Sequence, residues 1–347
     1  MPLAARRVFR LGLTTALTLA IAYGFPIPFP YVAAIFAFII TSVPSLRFTL
    51  KKLIVLIVLI LLTLSIGILI TPLILYYPVS GIMIVGVGIY FSTYLTVNLE
   101  KGLVGTLLSL GFTIVPAAGA VDYQVTTALI QALSIGMAVA IISQWIVYPF
   151  FPEDDHAPKP KPANKNKTQC NWIAIRVSLI VLPAFVLALV SPAIFFKTII
   201  KSILLGKQGT EVDAKHAGRE LIGSTLLGGV YAIAFWALLK IETNIWMFFL
   251  WATLFSTHLA AKLFQVSPSQ FTPSFWQNVA VTMILLLGLG IQHNGDGGNV
   301  YQDFFERMAI FLGLAFYTWG AVYFLDSLKE KFSKPKNNLP QESHYVS

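Results

Sequence analysis

Lys197 and Lys201 stand four residues apart in an apolar run that opens at Pro192. On a helix that spacing puts both ammonium groups on one face. Charges inside an apolar segment are costly and mark routes for substrates or ions, so one reading of the pair is an anion-attracting wall. The run is about fifteen residues long, to Gly206, which is roughly 22 Å of helix against a hydrocarbon core of about 30 Å. The same shortness lets both lysines reach the headgroups instead. Arg10 precedes Pro26 by sixteen positions, and Arg176 precedes Pro192 by the same sixteen. Such a repeat-related pair closes a gate, holds a carboxylate bidentately, or simply anchors helix ends in the headgroup layer. His258 stands where Tyr94 stands in an echoed pentapeptide, and a histidine inside a span carries protons near neutral pH. A core histidine bonded to a neighbouring carbonyl explains it equally well. Glu306, beside Asp303 and Arg307 at the start of the last apolar segment, is a second proton acceptor. The expected binding set is therefore Lys197, Lys201, Arg176, Arg10, Tyr94 and Trp251, with proton coupling at His258 and Glu306. Phe195, Phe196 and Trp236 join Trp251 as aromatic surface for the apolar body of an organic anion, while Asn98, Gln131 and Gln144 either line the same interior or cross-link helices.

These residues need a scaffold, and the chain writes it twice. Phe91-Ser92-Thr93-Tyr94-Leu95 returns as Phe255-Ser256-Thr257-His258-Leu259, 164 positions later, and the Arg–Pro pairs are offset by 166. Duplicated membrane bundles carry substrates through a site between their halves. Hydrophobic residues make up 56% of the chain and charged residues 11%, with a mean hydropathy of +0.76. A soluble domain would be about one quarter charged. Runs such as Leu53–Ile70 are apolar on every side, as helices in lipid are. The expected fold is all-α and polytopic, with about twelve transmembrane helices in two six-helix repeats of the same topology. The segments fall near 10–24, 30–45, 53–72, 79–98, 102–117 and 125–149, then 172–191, 192–206, 220–239, 245–264, 275–292 and 305–326. The expected units are residues 1–151, a cytoplasmic linker at 152–171, residues 172–332, and a disordered tail at 333–347.

Charge placement supports that count. With the N-terminus inside, the first three outer loops hold no Lys or Arg, and only Lys240 and Arg307 fall outside in the second half. By the positive-inside rule both termini are cytoplasmic. The net charge of +9 is then mostly a topology signal, and no nucleic-acid surface is expected. Arg6, Arg7 and Arg10 before a short apolar stretch imitate a signal peptide, but the Arg10–Pro26 match to Arg176–Pro192 makes that stretch the first helix of a repeat.

Enzyme chemistry has little to stand on. The chain carries no Walker-type phosphate loop, no paired histidines at metal spacing in a span, and a single cysteine, Cys170, which excludes a disulfide framework or a multi-cysteine metal site. The Asn294–Asn299 stretch, rich in Gly, reads as a turn. Neither an enzyme nor a cofactor is expected.

One stretch carries a family resemblance. Gly218-Arg219-Glu220-Leu221-Ile222-Gly223-Ser224-Thr225-Leu226-Leu227-Gly228-Gly229 resembles the Arg-x-x-Gly-(small)-x-x-Gly segment that opens the second membrane half of the fusaric acid resistance and aromatic acid exporter superfamily, most closely its compact bacterial members of undefined function. The resemblance implies a multi-pass protein of the bacterial inner membrane that exports aromatic or hydrophobic organic acids by proton-driven secondary transport. It also implies a periplasmic adaptor of the membrane-fusion type as partner, with self-association open. The larger members carry a folded cytoplasmic domain where this chain has a linker of about twenty residues. Two other readings remain: a passive organic-anion channel with the same basic lining, and a non-transporting scaffold of an envelope complex.

Overall fold

The computed structural model describes residues 1–25, 27–44, 49–98, 102–154, 167–190, 205, 214–294 and 300–333. Among them the helices are α1 (Leu3–Gly24), α2 (Pro30–Ser42), α3 (Leu50–Tyr76), α4 (Pro78–Asn98), α5 (Gly102–Val121), α6 (Tyr123–Val147), α7 (Lys167–Val190), α8 (Ala214–Leu239), α9 (Ile245–Leu263), α10 (Pro273–Asn294) and α11 (Val300–Ser333), with a short 3-10 turn at Tyr148–Phe150 after α6. Eight of them, α3 to α8 with α10 and α11, are long and apolar enough to cross a membrane. The protein is thus an all-helical, polytopic membrane protein. Eleven of the twelve apolar segments read from the sequence are helices. The remaining one, 192–206, lies outside the described residues except for Leu205. Helices overrun the apolar stretches that announce them: α7 begins at Lys167 and α11 runs on to Ser333. Polar end residues hold helical geometry without adding hydrophobicity.

Local chemistry sets the ends. Asp122 accepts a hydrogen bond from the Gln124 N–H at 2.9 Å and caps α6. Asn244 caps α9 by accepting from Trp246 N–H at 2.6 Å, the role its short side chain suits. α2 follows Phe29, a left-handed residue at φ 48°, and opens with Pro30, whose missing N–H costs nothing at that position.

Every residue of α2 from Pro30 to Thr41 is buried, so this thirteen-residue helix is an interior element between α1, α6 and α10. α10 is 83% buried along its apolar window, whereas α11 is only 22% buried and presents most of its surface outward. One apolar core runs through residues of both halves.

The halves interlock reciprocally. α1 lies along α9, and α4 lies along α7; these are the two most extensive contacts between the halves. α1 and α9 are antiparallel, since Gly12 abuts Thr257 and Gly24 approaches Ile245; on the other pair Gly86 of α4 faces Leu182 of α7. The echoed pentapeptides sit on α4 and α9, the two helices that meet the first helix of the opposite half. Within each half the third and fifth counted segments also pack closely. Gly67 of α3 sits on the Gly111 carbonyl of α5, and Gly228 of α8 sits against Thr282 and the Val279 carbonyl of α10. Small residues permit such approaches where lipid offers no hydrophobic drive between helices.

Candidate functional site

The first half ends by folding back on its own beginning. After α6 the chain Phe151-Pro152-Glu153-Asp154 crosses the N-terminal turns of α1. Arg10, 1% exposed, donates to Glu153 Oε2 at 2.5 Å and to the Phe151 carbonyl at 3.3 Å, with its guanidinium 5.4 Å from the Tyr148 ring centre. Arg7 donates from Nε to Glu153 Oε1 at 2.7 Å. Arg6 forks onto Asp154 at 2.8 and 3.0 Å and reaches the Pro152 carbonyl. Burial pushes the Glu153 carboxyl up, but the hydrogen bonds and charges of Arg7 and Arg10 outweigh it and hold the group below its ordinary value. In the second half Arg176 donates to Asp326 Oδ2 at 2.6 Å. Trp172 donates its indole N–H to the other oxygen at 2.9 Å. Both arginines are thus engaged by carboxylates of the chain itself.

The Gly218–Gly229 stretch lies in the N-terminal half of α8. Glu220 accepts from the Thr272 hydroxyl at 2.8 Å, Ser224 bonds back to the Glu220 carbonyl at 2.5 Å, and Asn278 donates to Ser224 Oγ at 2.6 Å. Arg219 lies over the Phe271 ring at 4.6 Å. This buried polar chain ties α8 to α10 at the same basic end as the arginine pairs.

At the opposite end a cleft of about 270 Å³ opens between α1 and the ends of α8, α9 and α10. Tyr23, Trp236 and Phe248 give it aromatic walls, and Thr243, Asn244 and Ile245 form part of the lining. The Tyr23 hydroxyl and the Trp236 indole nitrogen are both buried without a hydrogen-bond partner. From the cleft a ladder of rings descends between α8 and α9: Tyr23 to Phe248 at 5.2 Å, Phe248 to Phe235 at 5.6 Å, Phe235 to Phe255 at 5.3 Å, Phe255 to Tyr231 at 5.9 Å and Tyr231 to His258 at 5.9 Å. Further buried groups without partners lie on the helices beside it: Thr14 and Thr15 on α1, Trp251 and Thr257 on α9, and Ser143 on α6.

The structure gathers only part of the expected set. Trp251 is half-buried on α9 with an unpartnered indole N–H. Tyr94 is half-buried, accepts from Asn98 at 3.1 Å and stacks on Tyr90. His258 is exposed, on the stripe of α9 that carries Leu250 and Leu254, although its ring also closes the aromatic ladder. Glu306 is exposed at the start of α11, and Gln131 is exposed on α6. Lys197, Lys201, Phe195 and Phe196 lie outside the described residues. Sequence reading missed Glu153, Asp326, Glu220 and Tyr23. The Glu-Asp-Asp run at 153–155 is a signal for the first, since acids close after the sixth apolar segment can return to the basic N-terminus with Arg6, Arg7 and Arg10, although the run falls inside the expected linker. Among the described residues no cluster of His, Cys, Asp and Glu could hold a metal ion.

Compared with known proteins, residues 7–147 match the model of a family described only as proteins of unknown function, DUF2955. No curated protein and no solved structure matches the chain. The matched span starts in the first turns of α1 and stops at the last residue of α6.

Proposed function

We propose that this chain is a twelve-span secondary exporter of aromatic or hydrophobic organic acids in the bacterial inner membrane, built from two six-helix halves with both termini in the cytoplasm and driven by the proton gradient. The observation that carries the reading is the aromatic cleft, walled by α1 of the first half and by α8, α9 and α10 of the second. Transport sites lie between repeated halves of this kind. Supporting the duplication are the reciprocal α1–α9 and α4–α7 contacts, the matched Arg10–Glu153 and Arg176–Asp326 pairs, and a family match that ends with the sixth helix.

In this reading the basic end faces the cytoplasm, and the arginine pairs hold it closed while the cleft is open to the other side. Alternating access needs such a pair of end states. His258, at the foot of the ring ladder, and Glu306 couple the cycle to protons. The Arg10 and Arg176 guanidinium groups serve as gate ties and release their carboxylates when the cytoplasmic side opens. A periplasmic adaptor and a second copy of the chain belong to the same proposal as partners.

The test is uptake of radiolabelled hydroxybenzoate into inverted vesicles of purified, reconstituted protein, with and without an imposed proton gradient. Gradient-dependent accumulation above equilibrium supports the exporter. Equilibration without accumulation replaces it with the channel, and no flux for any acid removes transport from the reading. Gradient dependence that survives His258→Ala with Glu306→Ala would sink the coupling scheme while leaving the exporter in place.

A further inference from the structure

We infer that Arg7 and Arg10 form a carboxylate site which Glu153 occupies from within the chain, and that the carboxylate of an organic acid takes its place when residues 151–154 lift from α1. The site stands on its own geometry, while the acid's role as cargo rests on the exporter reading. Three observations carry it. First, the two guanidinium groups converge on one carboxylate and divide its oxygens: Arg7 Nε donates to Oε1 at 2.7 Å and Arg10 Nη2 to Oε2 at 2.5 Å. Such contacts recognise the carboxylate group, whatever chain carries it. Second, Arg10 is 1% exposed and its Nε is buried without a hydrogen-bond partner. A guanidinium presents Nε and Nη2 along one edge, so Glu153, whose other oxygen goes to Arg7, leaves that edge at least half unused. A carboxylate free of the strap can take both donors. Third, Glu153 is carried by a segment outside any helix, whose backbone can turn without breaking helical hydrogen bonds. Asp326, its counterpart, is fixed within α11.

Electrostatics gives the exchange its direction. A guanidinium this deeply buried is costly to leave without a counter-charge, so an arriving anion favours the departure of Glu153. The arginines themselves tie the strap down. Arg6 donates to the Pro152 carbonyl at 3.0 Å and forks onto Asp154, and Arg10 donates to the Phe151 carbonyl at 3.3 Å. The Glu153 N–H donates to the Tyr148 hydroxyl at 3.3 Å. The Arg6–Asp154 tie is partly exposed, so water competes for it and the outer end of the strap is the easier to free. Rings flank the charge. The Tyr148 ring centre lies 5.4 Å from the Arg10 guanidinium, and Phe9 stacks on Phe151 at 5.8 Å. An aryl carboxylate therefore finds aromatic surface beside the two arginines.

The functional consequence is competition between cargo and gate. In the exporter reading this end faces the cytoplasm, so an organic anion that binds Arg7 and Arg10 there releases the strap in the same event. A tethered group competes as if present at about millimolar concentration, and an acid that accumulates to that level displaces it. Glu153 thus acts as an internal stand-in for the cargo. It keeps the protein closed when no acid is present and yields when one arrives.

The experiment follows the unfolding temperature of the purified full chain at pH 7 as sodium benzoate is added. Sodium chloride holds the ionic strength constant, and benzamide serves as the uncharged analogue. In Glu153→Ala, benzoate is expected to restore about half or more of the lost unfolding temperature, saturably, as a ligand of the folded state does. Benzamide and chloride are expected to restore none of it. The wild type is expected to need at least about tenfold more benzoate for its half-maximal shift, because Glu153 competes from its tether. Adding Arg10→Ala to Glu153→Ala is expected to abolish the response. Glu153→Gln keeps the side-chain shape and is read in the same way where Glu153→Ala does not fold. Equal restoration by benzoate and benzamide would overturn the inference, as would a response that survives Arg10→Ala or one equally sensitive in the wild type. Restoration by benzoate in a protein that transports no acid would leave the carboxylate site standing and defeat the exporter. Transport without restoration would do the reverse.

Discussion

Arg10 and Arg176 begin at equivalent places in the two halves and end in ion pairs of different depth. Arg10 and Glu153 are 1% and 4% exposed at their side chains, whereas Arg176 and Asp326 are 6% and 24% exposed. Glu153 comes from a segment beyond the last helix of its half and serves two arginines. Asp326 sits within α11 and serves one arginine and an indole N–H. A buried carboxylate between two guanidinium groups cannot lose its charge cheaply, while a carboxylate near the surface has water as an alternative partner. The comparison teaches that two arginine–carboxylate ties at one end of a helical bundle need not be equally deep: the tie of the later helices is the more exposed one, and those helices also contribute most of the cleft.

The largest expected effect comes from Glu153→Ala. It leaves Arg7 and Arg10 without their shared counter-charge and costs about 3–5 kcal/mol, read as a large drop in the unfolding temperature of the purified protein. Adding Arg10→Ala is expected to recover part of the loss, because the deeper orphaned charge goes with it. Asp326→Ala is expected to cost about 1 kcal/mol, since its water-accessible side is screened. Equal losses for Glu153→Ala and Asp326→Ala would break the comparison. The third effect is a pH dependence. Glu153 has a depressed pKa in the folded protein, so its contribution is present above the ordinary carboxylate value and disappears as pH falls through the lower folded value. The stability difference between wild type and Glu153→Gln should therefore stay constant near neutrality and shrink only in acid below the usual carboxylate range. The smallest effect is expected for Arg176→Lys, which keeps the charge but loses the planar guanidinium that donates to Asp326. A few tenths of a kcal/mol is the scale for an exchange at a partly exposed pair, and a loss as large as that of Glu153→Ala would show the second tie to be the stronger.

Much of the fold was legible because lipid imposes a simple pattern. Long apolar runs such as Leu53–Ile70 lie within helices, and Gly or Pro beside them marks several helix ends, as at Gly24 and Pro30. The close approach at Gly228 was also legible, since Ser224 and Gly228 share a helix face and that face does meet α10. The candidate site was legible only in pieces. Trp236 and Trp251 could be named as aromatic surface, but Tyr23 could not be joined to them, because it lies more than two hundred residues earlier in the chain. Asp326 was invisible for the same reason: it pairs with an arginine 150 residues away. His258 stood out by its type, yet a residue type does not say whether it faces the interior or the lipid side of α9.

By itself the amino-acid order determined the apolar surroundings and the helical class, since hydrophobicity and helix length are properties of short stretches. Only the tertiary structure decided which carboxylate met which arginine, that α2 is enclosed by its neighbours, and that Tyr23 and Trp236 share one cleft. Those outcomes depend on how helices cross, and crossing is set by side-chain packing between residues that no local pattern connects.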